Sequence, residues 1–275
     1  MDKTNNTEKI IDMREDFSAD SRPAHPLGWM FLFVVLTLVG EFAGTGAAMI
    51  THIDYTLPAQ LGVMAAAVIV CMIMKKKCGT VPKDVLRPKE LDPVLLPVLI
   101  ALGWSMSDIF DQITGSILIL FSERPSSESS SEVTLITVLV TVILAPVSEE
   151  LIFRFGCMGM IRKRVSAAVC ILLPSLVFTL VHFPSSQIAV NIFINTVFAA
   201  IIYYFTENLM YSIIEHMVHN AICLLPINDK FFMGEPLYYQ SSGYNLCGTP
   251  WLILMSVVFL ISFMVFVRFI RKQKM

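Results

Sequence analysis

Glu149 and Glu150 stand side by side in ITVLVTVILAPVSEELIFR (136–154), a stretch otherwise apolar enough to lie in a membrane. An ionised group at bilayer depth costs several kcal/mol, so two together require a partner or a water-filled cavity. On a helix, Glu150 and Arg154 are four residues apart and share a face, whereas Glu149 is turned by about 100° from its neighbour. The spacing fits Glu150 as the structural half of an ion pair with Arg154, and equally fits a trio that only pins a helix end near the membrane surface. Glu149 is left to bind a proton, a water or a metal.

Three of the five histidines also fall inside apolar runs: His182 in FTLVHF, and His216 and His219 in EHMVHN. Counted from the nearest cytoplasmic helix ends at 1.5 Å per residue, Glu149, His182 and His216 all lie roughly 12 to 23 Å deep, a spread that helix tilt absorbs. One cavity can therefore hold the carboxylate and two imidazoles. Asn220, four residues after His216, shares its face and offers amide donors. His219 is about 300° round from His216 and competes with it for the same role. A base, two imidazoles and an amide donor are what is needed to activate water and stabilise a tetrahedral oxyanion, so the chemistry indicated is amide hydrolysis.

The order Glu149-Glu150-xxx-Arg154, Phe178-xxx-His182 and His216-xxx-Asn220, on successive late helices, resembles the CPBP family of intramembrane proteases. That family includes the type II CAAX prenyl endopeptidases, bacteriocin-processing proteins and self-immunity (Abi-like) proteins. The resemblance covers about residues 133–226. It implies that Glu149 is the general base, that Glu150 and Arg154 shape the site, and that His182 lies beside the water or metal. It further implies that His216 and Asn220 hold the oxyanion or metal and that Phe178 is a packing residue. The family has been described both as glutamic proteases and as metalloproteases. In the second case Glu149, His182 and His216 would form a His₂Glu zinc set with an open position, without the compact HExxH spacing of soluble zinc proteases. The reading favoured here is the glutamate mechanism without a cofactor, with one divalent metal, zinc, as the alternative.

The elements that must position these groups are helices. Of the 275 residues, 55% are hydrophobic and 15% charged, too little polar surface to coat a soluble globule. The expected fold is all-α and polytopic, with apolar segments at 26–50, 58–74, 92–121, 133–160, 166–183, 187–205, 208–226 and 250–270. These make eight transmembrane helices around an intramembrane cavity, in one domain spanning 26–275. The third segment carries Gly103 and Gly115 and is expected to tilt or break. Residues 1–25 are polar, mixed in charge and net acidic, and read as a disordered cytoplasmic tail rather than a cleaved signal.

Basic residues test the topology. Lys75, Lys76, Lys77, Lys83, Arg87 and Lys89 follow the second segment, Arg162, Lys163 and Arg164 the fourth, and Arg268, Arg271, Lys272 and Lys274 end the chain. All fall on one side, which predicts a multi-pass cell-membrane protein with both termini cytoplasmic. The serine-rich loop 123–132 and the loop 227–249, with Tyr238, Tyr239 and the nearby Trp251, are expected outside. A net charge of −2 gives no reason to expect nucleic acid. The six cysteines have no ligand spacing and read as apolar fillers.

The expected function is hydrolysis of a peptide bond in a membrane-associated peptide or protein, within the bilayer. The alternatives are a secondary transporter using Glu41, Asp108, Asp111 and Glu215, a non-catalytic immunity or scaffold protein, and an aspartyl protease using Asp108 and Asp111. No inverted repeat supports the first, and no GxGD sequence the last.

Overall fold

A computed structural model describes residues 25–120, 133–182, 186–224 and 249–273. The expected tail, the serine-rich loop and most of the loop before Trp251 lie outside these residues. The described chain is helical, and its segments follow the apolar runs closely: α1 Pro26–Thr51, α2 Thr56–Cys78, α3 Leu95–Leu120, α4 Leu135–Ile161, α5 Ala167–Val181, α6 Ser186–Thr206, α7 Leu209–Leu224 and α8 Thr249–Gln273.

Each of the eight expected segments holds a helix, and the count of spans is near eight but does not reach it. Among the described residues five helices, α1, α2, α4, α6 and α8, are long and apolar enough to cross a membrane; a sixth span is reached if the bent pair Pro82–Glu90 and Leu95–Phe110 counts as one. The reason is length. Helix α5 has 15 residues, short of the roughly 20 that a bilayer requires, and α7 is described as far as Leu224. Nor does α3 break at Gly103 or Gly115; the 107° bend lies before it, between Glu90 and Leu95. That connection is pinned to the turn between α6 and α7: Asn208 exchanges hydrogen bonds with the Arg87 backbone (3.2 and 2.9 Å), and Arg87 Nη2 donates to Glu207 O (2.8 Å). Glu207 takes a positive φ of 53°, which lets α6 reverse into α7 within two residues.

Helix α4 is the axis of the bundle. Its C-terminal half is buried all round, with Ile152, Phe153, Phe155 and Met158 packed against Phe33 of α1, Val70 and Met74 of α2, and Phe178 of α5. Small residues permit this closeness. Gly156 faces Val70 and Phe33, and Gly40 and Gly44 set α1 against the backbone of Gly62 and Pro58 on α2, where any Cβ would overlap a carbonyl oxygen. A second cluster, with Leu99, Leu102, Phe198, Ile202, Tyr211 and Phe266, joins α3, α6, α7 and α8. Large apolar side chains such as Phe31, Met49, Leu180 and Leu260 remain on the outside, as lipid contact requires.

Candidate active site

Helix α4 reaches the site through two widened stretches, π-helical at Leu139–Leu144 and Glu150–Met158. Pro146 explains the first, since a proline inside a helix clashes with the carbonyl four residues back and supplies no N–H. It also strands a carbonyl. The N–H of Ala145 goes to Val140 O, and the next donor a π turn would give Thr141 is Pro146, which has none. The Asn220 amide fills the gap, donating from Nδ2 to Thr141 O at 2.9 Å. One N–H of that amide is thereby fixed. Its second proton is left for another acceptor.

His182 caps α5. It occupies the C-cap position, and Nδ1 lies 2.8 Å from Phe178 O in the last turn. A carbonyl only accepts, so Nδ1 carries the proton. The ring stacks on Phe178 with centroids 4.3 Å apart, and Phe178 is in turn gripped edge-on by Phe153 at 4.9 Å. Phe178 is thus a packing residue that sets the plane of the imidazole.

Glu150 is fully buried and paired as its spacing requires: Oε1 lies 3.1 Å from Arg154 Nη1 and 3.1 Å from His216 Nδ1. The arginine meets it off the hydrogen-bonding axis, because Nη2 is committed to α6, donating to Thr196 O (2.9 Å) and Oγ1 (2.6 Å). Glu150 and Arg154 therefore tie α4 to α6 and α7 and hold the His216 ring.

Both anchored imidazoles present Nε2 to Glu149, His182 at 3.8 Å from Oε1 and His216 at 3.7 Å from Oε2. These gaps exceed a direct hydrogen bond and suit a shared water. Beside Glu149, Gln60 of α2 donates to Ser148 Oγ at 2.8 Å, locking α2 to α4. A cavity of about 390 Å³ is lined by Glu149, Arg154, His182, His216 and Asn220, and also by Glu215 and His219. His219 is turned towards Cys223, with Nε2 3.6 Å from Sγ, so of the two histidines it is His216 that faces Glu149.

The structure thus brings together Glu149, Glu150, Arg154, His182, His216 and Asn220. Gln60, Thr196 and the Thr141 carbonyl were not foreseen from the sequence, which offers no signal for partners this far away along the chain. Asp108 stands apart. It accepts from Trp251 Nε1 at 3.0 Å and joins α3 to α8, a structural bond outside the cavity lining. The side chain of Asp111 lies outside the described residues. Glu215 packs against Gly103 of α3, where a Cβ would strike its carboxylate.

Among the described residues no three His, Cys, Asp or Glu groups converge as metal ligands, and Glu149 offers a different oxygen to each imidazole. As placed, the set does not fit a metal ion.

Comparison with known proteins agrees with the geometry. Residues 131–222, a third of the chain holding all six grouped residues, match the family described as type II CAAX prenyl endopeptidase Rce1-like. The chain is also 26% identical over 170 residues to "Putative membrane peptidase YdiL" of Bacillus subtilis (strain 168), which covers 59% of this chain and 68% of that protein. No solved structure gives a significant match. These matches support the likeness to the CPBP family of intramembrane proteases that the motifs, in this order, carry.

Proposed function

We propose that the protein hydrolyses a peptide bond of a membrane-associated peptide or protein, using a water held between Glu149, His182 and His216 and no metal. The observation that carries this is the placing of one carboxylate between two imidazole Nε2 atoms, at 3.8 and 3.7 Å, on the wall of a cavity inside a membrane bundle.

In this reading Glu149 removes a proton from the water as its oxygen attacks the scissile carbonyl carbon, and His182 orients that water through Nε2. The carbonyl oxygen becomes an oxyanion. It accepts from the second Asn220 N–H and from Nε2–H of protonated His216, whose charge is balanced by Glu149 and Glu150. Collapse breaks the C–N bond, and Glu149 returns the proton to the leaving nitrogen. Glu150 and Arg154 position His216 and do not touch the reacting atoms. Both termini face the cytoplasm in this reading, on the strength of the basic residues that gather there. A bacteriocin-like precursor, or self-immunity through such cleavage, is the substrate setting to test first.

The test is isotopic. Protein in vesicles, treated with a chelator, is given a membrane-associated reporter peptide in ¹⁸O-water. One label in the new carboxyl terminus is expected. Absence of cleavage would favour a non-catalytic binding protein, and restoration by zinc would replace the glutamate mechanism with the metal one.

A further inference from the structure

A second cavity, of about 400 Å³, adjoins Glu149 and His182. It shares Gln60, Glu149 and His182 with the first, so the site has room on two sides of the carboxylate. Helix α1 contributes Thr37, Glu41 and Thr45, spaced by four and hence on one stripe; the start of α2 adds Thr56 and Ala59, with Tyr55 just before it. The Gly40–Gly62 and Gly44–Pro58 backbone contacts fix this seam, so the wall is built into the fold.

Two properties of the lining point to an occupant. One is its charge. Among the described residues that line it, Glu41 and Glu149 are the only acids and there is no Lys or Arg, and Glu41 stands ten residues before the end of α1, about 15 Å along the helix. A carboxylate at that depth is costly without a counter-ion or water, and nothing in the proposed hydrolysis uses it. The other is its division into parts. Ala59, Val63, Phe153 and Val181 make apolar wall, while Glu41, Tyr55 and the three threonines make a polar one. A long side chain with an apolar stem and a charged head matches both.

We propose that this cavity is a subsite for a basic side chain, Lys or Arg, close to the bond that is cut, with Glu41 as its counter-ion. The proposal rests on the protease reading. A peptide whose carbonyl sits beside Glu149 must send its flanking side chains into one cavity or the other, and the first already holds the oxyanion donors. The same carboxylates that attract a cation repel an acidic side chain, so the subsite discriminates in both directions.

The probe is a series of reporter peptides of one sequence, differing at single positions flanking the cut as Lys, norleucine or Glu. At one position the wild type is expected to cleave the Lys peptide about tenfold or more faster than the norleucine peptide, with the Glu peptide slowest. Glu41→Gln should bring the Lys-to-norleucine ratio to about one, and Glu41→Lys should favour Glu. A ratio that Glu41→Gln leaves unchanged, or an equal slowing of every peptide, overturns the subsite. Binding of the same peptides to Glu149→Gln protein, read as a rise in melting temperature, separates the two readings. If no peptide is cleaved, hydrolysis falls, and a Lys preference in binding that Glu41→Gln removes still supports the cation cavity. Equal binding of Lys and norleucine peptides overturns it.

Discussion

Each polar side chain of the site has a buried reason for its place, and those reasons predict what substitution does. Asn220 spends one N–H on Thr141 and has one left. Asn220→Ala is expected to lower kcat about 10²- to 10³-fold with little change in KM, as loss of an oxyanion donor does. An unchanged kcat would remove Asn220 from the chemistry. Arg154→Ala is of a different kind, because it leaves the fully buried Glu150 without its cation. It should destabilise the protein by about 3–5 kcal/mol, read as a fall in melting temperature in detergent. A stable variant would show that the ion pair is not structural. At this scale the sequence was informative: Glu150 and Arg154 pair as four-residue spacing demands, and Asn220 joins His216. It could not show that His219 turns to Cys223, since a rotation about one helix says nothing of what the neighbouring helices present.

The elements matter because they decide which backbone groups are left for side chains to satisfy. Pro146 frees the Thr141 carbonyl, and Asn220 is positioned by it. Pro146→Ala would supply the missing N–H and release Asn220. The expected result is a protein no less stable but up to about 10²-fold slower, the usual effect of a small misplacement of a catalytic group. Unchanged kcat would dissociate the π turn from catalysis. Helix limits were legible to within a few residues, because apolar runs end where charged or proline-rich connections begin. The π turns were not, since both stretches have ordinary helical composition. The bend before α3 was also hidden. It depends on Arg87 and Asn208, which are 121 residues apart in the chain.

Across the molecule, the shortness of α5 is the main departure from an eight-span plan. It carries His182, and its 15 residues fall short of the roughly 20 that cross a bilayer. On the proposed orientation, with both termini cytoplasmic, a cysteine placed at Tyr55 should react with an impermeant reagent from outside intact cells, and one at Lys76 should not. The reverse pattern would invert the topology.

The central claim is that Glu149 is the base that activates the hydrolytic water. It is tested most directly by the single-turnover cleavage rate of Glu149→Gln against wild type in the same membranes, with melting temperatures matched. A loss of about 10²- to 10⁴-fold is the expected result. A rate equal to wild type, in a protein folded to the same degree, would contradict it.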